Sequence, residues 1–124
     1  MRILFIIGTG GFLGSVSRYL LSQWMQRIFN TTFPIGTFSV NIIGCFLIGI
    51  IYALSEKGGI LSPELRLFLA VGICGGFTTF SSFAYENFNM FSLQQYFFTA
   101  IYVGVSLILG LLAVYLGNLS IKLL

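Results

Sequence analysis

The sequence predicts an all-α membrane protein of four transmembrane helices, the third broken near mid-membrane. Three observations carry this. First, 57% of the residues are hydrophobic and only 7% charged, against about 25% charged in soluble domains. Six basic and three acidic side chains cannot build a solvated surface, so lipid must solvate most of it. Second, 124 residues hold four spans of roughly 20 residues each and leave no room for an extramembrane domain. Third, the third apolar stretch is interrupted by residues that are poor helix formers.

The first span is expected over about residues 3–25, with Arg18 in its later part. Its start looks superficially like a signal peptide. The run continues through Gly-rich helix-packing sequence without a convincing small-residue cleavage site, so it reads as a retained span. Residues 26–32 form a polar stretch, and Pro34 and Gly36 mark a turn. The second span covers about 36–54, closed by a loop over 55–59. Ser62 reads as an N-cap, with Pro63 at the first helical position. The third span covers about 65–85, a loop 87–95, and the fourth span about 96–119.

The centre of the third span reads Gly75-Gly76-Phe77-Thr78-Thr79-Phe80-Ser81-Ser82-Phe83. Adjacent glycines and adjacent β-branched threonines predict a break within 75–79. At membrane depth the freed N–H and C=O groups must be buried in protein, line a wet path, or bind ions. An unbroken helix with a Gly-rich packing crossover is the alternative. Gly10 and Gly14, and Gly72 and Gly76, form two GxxxG pairs, which say only that helices associate closely.

Charge and side-chain chemistry exclude several function classes. The basic residues are scattered without a run or stripe, which argues against a nucleic-acid partner. There is no His. Cys45 and Cys74 sit in apolar runs without CxxC spacing and read as small buried residues. No nucleophile–base pair, metal-ligand set or cofactor motif is present, so no enzyme is expected.

Polar residues instead fall on three helical faces. Thr37 and Asn41 share one on the second span, Phe80 and Phe83 flank Ser81 and Ser82 on the third, and Tyr102, Ser106 and Gly110 share one on the fourth. These side chains donate hydrogen bonds without carrying full charge. A polar row inside a membrane suggests a transport path, with interhelical hydrogen-bonding glue as the alternative. Aromatic edges are electropositive. Neutral donors plus ring edges suit a small, strongly hydrated anion without the deep trap of a buried cation.

Four stretches together carry a family resemblance: Gly11-Phe12-Leu13-Gly14-Ser15-Val16-Ser17-Arg18-Tyr19, Pro34-Ile35-Gly36-Thr37, Asn41-Ile42-Ile43-Gly44, and Gly75 through Phe83 with Glu86. In this order, over essentially the whole chain, they resemble the signatures of the Fluc (CrcB-type) fluoride channels. The resemblance implies a passive fluoride-specific channel that exports cytoplasmic fluoride across the bacterial inner membrane. It implies an antiparallel dual-topology homodimer with two pores. It implies a fluoride pore with Asn41 and Ser82, ring-edge fluoride contacts at Phe80 and Phe83, and a polar track of Thr37, Tyr102 and Ser106. Arg18 would attract anions into a vestibule. Backbone carbonyls of Gly75 and Thr78 would hold one structural Na⁺ at the dimer centre. Two departures stand out: Ser82 where Thr is common, and Gly110 where a small polar residue is usual. Glu86 would lie near Thr37 and Tyr102 and orient the track by accepting their hydroxyl protons. A membrane-interface carboxylate paired with a cation is the other reading.

Two rival functions differ in class. A proton-coupled exporter of the small-multidrug-resistance type needs an embedded carboxylate, usually in its first span, and none is there. A non-transporting structural subunit explains the packing glycines but not the polar faces. The charges sit awkwardly with dual topology. Arg2, Lys57, Arg66 and Lys122 fall at one end of the four spans and Arg27 at the other, a bias toward a cytoplasmic N-terminus.

Overall fold

A computed structural model describes residues 1–124, and it contains four helical spans long and apolar enough to cross a membrane. The first, α1, runs Arg2–Phe29 and the second, α2, Ile35–Glu56. The third span comprises α3 (Pro63–Arg66), a π-helical stretch (Leu67–Cys74), α4 (Gly75–Phe77) and α5 (Phe80–Ser92). The fourth, α6, runs Tyr96–Lys122. Only 18 of 124 residues are buried, so most of the apolar surface points outward, as a chain solvated by lipid requires.

The helix ends follow local chemistry. α1 continues four residues past its expected end. Asn30 closes it in the left-handed conformation (φ 43°, ψ 52°), its N–H returning to the Gln26 carbonyl. Gln26 belongs to the helix rather than to a loop. Its Nε2 donates to the carbonyls of Thr31 (2.7 Å) and Phe33 (2.9 Å), and its Oε1 accepts from the Gly36 N–H. One amide thereby satisfies three backbone groups of the α1–α2 connection. Ser62 caps α3 as expected, accepting from the Leu65 N–H with Pro63 in the first turn. The loop expected over 87–95 is shorter. α5 stays helical through Ser92, and its polar Asn87 and Asn89 lie within the helix. Asn87 is held there by donating to the Phe83 carbonyl one turn back.

The third span is broken, but at Thr78 and Thr79 alone. Thr78 (φ −91°, ψ 157°) and Thr79 (φ −149°, ψ 117°) are extended, as their β-branched side chains favour. Gly75 and Gly76 remain helical and serve close packing. A Cβ on Gly76 would lie 2.7 Å from the Gly11 carbonyl oxygen. The π-helical stretch before them, with its wider i→i+5 turns, was not foreseen. Such turns are rare and have no propensity signature.

Two interfaces of small residues organise the bundle. α1 packs on the π-helical stretch and α4, and α2 packs on α6. On the first interface a Cβ on Gly10 would lie 2.6 Å from the Phe68 carbonyl oxygen. On the second, a Cβ on Gly49 would collide with the Val114 carbonyl oxygen, and one on Gly117 with that of Phe46. Backbones this close gain dispersion contacts, the term that drives association where lipid removes the hydrophobic effect. The exposed Arg2–Glu64 ion pair (2.8 Å) places the starts of α1 and the third span at the same end.

The α2–α6 contact should be intolerant of one added methyl group. Gly49→Ala is expected to cost about 1–3 kcal/mol, the range for overpacking, read as a lower unfolding midpoint of the purified protein in detergent. Gly8→Ala, with nothing within 4 Å of the new Cβ, should leave the midpoint unchanged or raise it. Equal losses in both would show that the close approach is not what stabilises the pair.

Candidate functional site

A cleft of about 420 Å³ opens beside the break. Asn41 from α2, Thr79, Phe80 and Phe83 from the third span, and Ser106 from α6 line it. The Gly75 and Thr78 positions are on its wall as well. Six of the residues singled out in the sequence thus meet at one place. Thr37, Glu86, Tyr102, Ser82 and Arg18 lie outside the cleft lining.

Asn41 is the residue that ties the break to α2. Its Oδ1 accepts from the Thr79 N–H (2.8 Å), and its Nδ2 donates to the Thr79 carbonyl (3.1 Å). The amide mimics a strand neighbour for the extended residue. This uses one of its two N–H donors and leaves the second. Thr79 then caps α5, its Oγ1 accepting from the Ser82 N–H (3.1 Å). Thr79 Oγ1 also donates to the Ser82 hydroxyl (3.2 Å). Ser82 is therefore engaged with the cap rather than with the cleft. The sequence marks Thr79 as part of the break but not as a cap. Its position as the first hydroxyl before Phe80-Ser81-Ser82 is a capping signature that could have marked it.

The ring pair is present. Phe80 and Phe83 have centroids 5.9 Å apart at an interplanar angle of 44°. Phe83 in turn meets Tyr102 edge-on, 4.9 Å apart at 63°. Phe80 is 79% exposed, so one side of the cleft is covered by nothing in this chain. Ser106 has a fully buried hydroxyl without a hydrogen-bond partner. A buried orphan of this kind ordinarily costs about 1–3 kcal/mol, and no group of this chain takes its proton.

One turn away, Glu86 is held between two hydroxyls. Thr37 Oγ1 donates to Oε2 at 2.5 Å, and the Tyr102 hydroxyl donates to Oε1 at 2.8 Å. Tyr102 is fully buried. Both contacts anticipated for Glu86 exist, and no cation pairs with it. Each hydroxyl has one proton. With both protons committed to Glu86, Thr37 and Tyr102 offer lone pairs, not donors, to anything else beside them.

Arg18 lies on α1, half-buried, with its Nε 2.9 Å from the Gly76 carbonyl oxygen to which it donates. The expectation for Arg18 concerned only attraction of anions, and this backbone contact was not foreseen. Cys74 is buried and Cys45 partly so, both as free thiols. Cys45, one turn beyond Asn41, also borders the cleft, and a Cβ on Gly110 would meet its sulfur at 3.6 Å. That helical spacing from Asn41 was the available signal.

Comparison with known proteins agrees in extent and in kind. The family described as "CrcB-like protein, Camphor Resistance (CrcB)" matches residues 5–118. A protein of Flavobacterium psychrophilum is 43% identical over 98% of both chains. One from Chlorobium chlorochromatii is 44% identical, covering 96% of this chain and 92% of its own. One from Chlorobium phaeobacteroides strain BS1 is 45% identical, covering 97% and 93%. All three relatives are named fluoride-specific ion channel FluC. With four helical spans, a broken third span, and full-length similarity at this level, the chain belongs to the CrcB family.

Proposed function

We propose that this chain is a passive, fluoride-specific channel that relieves cytoplasmic fluoride, and that it is not an enzyme. The observation that carries the reading is the orphan hydroxyl of Ser106 beside Asn41 and the Phe80–Phe83 rings. It is a set of neutral donors and ring edges with no cation in the cleft lining. Fluoride holds its hydration shell tightly, so a path must replace that shell without a charge that would trap the ion. Hydrogen fluoride crosses membranes from an acidic exterior and dissociates in a neutral cytoplasm. A passive channel then suffices for export. The relatives' names supply the ion.

The proposal includes an antiparallel homodimer in the bacterial inner membrane, with two pores. In support, Asn41, Thr79 and Ser106 are among the residues lining the cleft, and Phe80 on the same lining is exposed. A second copy covering that lining would spare these groups contact with lipid. A Na⁺ ion at the dimer centre is part of the same reading. The Thr78 carbonyl accepts no hydrogen bond from this chain, and the Thr79 N–H that would have served Gly75 goes to Asn41 instead. Hard carbonyl oxygens of Gly75 and Thr78 suit a hard cation. Arg18, with its remaining guanidinium donors, would favour anions near the entrance. The exporter alternative is not favoured. α1 carries no acidic residue, and both oxygens of Glu86 are already occupied.

The purified chain alone in liposomes should discharge trapped fluoride down its gradient, without ATP or a proton gradient, and pass chloride far more slowly. Stringent replacement of Na⁺ should abolish the flux. Proton-dependent efflux of an aromatic cation in place of fluoride would return the question to the exporter reading.

Orientation is tested by a single cysteine added near the C-terminus of a Cys45→Ala, Cys74→Ala background. Partial labelling from each side of the membrane is expected. Labelling from one side only would replace the homodimer by a pair with an oppositely inserted relative.

Among pore substitutions, Phe80→Ile and Phe83→Ile keep an apolar side chain but remove the electropositive rim. Asn41→Asp removes the donor to Thr79 and adds negative charge. Each should lower fluoride flux at least about tenfold, the equivalent of one lost interaction of roughly 1.4 kcal/mol. Phe91→Ile and Phe97→Ile are the controls. These rings pack on Tyr96 and Phe98, outside the cleft. Comparable loss in the controls would make the effect one of folding, and normal conduction in intact pore variants would end the ring-edge mechanism.

A further inference from the structure

The break in the third span leaves the carbonyl of Gly76 without its helical partner. In a continuous helix that carbonyl would accept from the Phe80 N–H, four residues on. The extended conformations of Thr78 and Thr79 prevent it. At membrane depth no water replaces the missing donor. The donor comes from another span: Arg18 Nε, at 2.9 Å.

The placement of Arg18 follows from the packing of α1. Gly10, Gly14 and Arg18 are spaced four apart and share one helical face. A Cβ on Gly10 would lie 2.9 Å from the Gly72 Cα, and one on Gly14 would collide with the Ile73 carbonyl. The two glycines seat α1 against the third span, and the next position along the face lands beside the end of α4. A cation there also meets the negative end of the helix dipole, where Arg is favoured.

We infer that Arg18 is a positioning residue that fixes the break of the third span by capping the Gly76 carbonyl through its Nε–H. Asn41 holds the far side of the same break, at Thr79. The two together fix the span from α1 and from α2, and so set where the Gly75 and Thr78 carbonyls and the Phe80 ring stand. The consequence for conduction rests on the channel reading; the structural claim does not.

Side-chain chemistry separates this role from simple attraction of anions. Glutamine places its amide nitrogen the same number of bonds from Cα as the Nε of arginine, without charge. Lysine keeps the charge but has a methylene at that position. Amide hydrogen exchange of the purified full-length protein in lipid nanodiscs, read over residues 76–83, measures how firmly the break is held. A hydrogen bond to a charged group corresponds to roughly tenfold to hundredfold in the opening equilibrium. Arg18→Ala and Arg18→Lys should therefore exchange faster by about that factor, and Arg18→Gln should stay closer to the native rate. Fluoride flux in liposomes should rank native above Gln, with Lys no better than Gln. If Lys matches native and Gln matches Ala, Arg18 acts through charge and the inference fails. It also fails if all three variants exchange at the native rate. Should Ala not fold, the Gln–Lys comparison decides alone. Absence of fluoride flux in the native protein would overturn the channel reading, while the exchange comparison would still judge the cap.

Discussion

A helix that stops inside a bilayer must find partners for the backbone groups it releases, and the rest of this structure is arranged around that requirement. Two extended residues, Thr78 and Thr79, interrupt the third span. The Thr79 N–H and C=O go to one amide on α2, the Gly76 carbonyl goes to a guanidinium on α1, and the first turn of α5 is capped by Thr79 itself. No single span can satisfy the break, so the fold brings three together there. Amides and a guanidinium with several donors or acceptors do what water does at a loop in a soluble protein.

The glycine interfaces make those reaches possible. An Arg or Asn side chain extends only a few ångströms past its own helix, so the backbones must lie nearly in contact before it reaches a neighbouring carbonyl. Gly10, Gly14 and Gly76 provide that on the α1 side, and on the α2 side Gly44 makes room for the Thr78 side chain. Packing and polar satisfaction are thus one design. A methyl group at such a glycine pushes apart the helices and also lengthens hydrogen bonds several residues away. The site inherits the same economy. Of the hydroxyls in and beside it, those of Thr78, Thr79, Thr37 and Tyr102 are committed within the protein, and that of Ser106 has no partner.

Much of this was legible in the sequence where the cause is local. Low charge and long apolar runs give four spans. Ser62 and Pro63 announce a helix start, and the paired threonines announce a break. What misled was polarity read as loop. Gln26 and Asn87 are polar, yet each spends its amide on a backbone carbonyl inside or beside its own helix. The adjacent glycines at 75 and 76 drew suspicion that belonged to the threonines alone. The pairing of Asn41 with Thr79 spans 38 positions, and that of Arg18 with Gly76 spans 58. No periodicity reports such distances. The resemblance pointed to the neighbours of Glu86 and to their hydroxyls as the donors, and that pairing removes Thr37 and Tyr102 from the free donors.

The π-helical stretch from Leu67 to Cys74 has a consequence for angular register. In an α-helix each residue advances the side-chain direction by about 100°, and wider turns make the chain lag behind that count. Everything beyond Cys74 is therefore rotated about the span axis relative to an α-helix of the same length. With that offset in place the break faces α2, where Thr79 meets Asn41. The stretch works as an angular offset set into the span upstream of its break. A π-helical turn holds one more residue than an α-helical turn, so a change in residue count here alters either that offset or the helix type. Length in this segment is consequently as constrained as identity, although none of its eight residues carries a polar side chain.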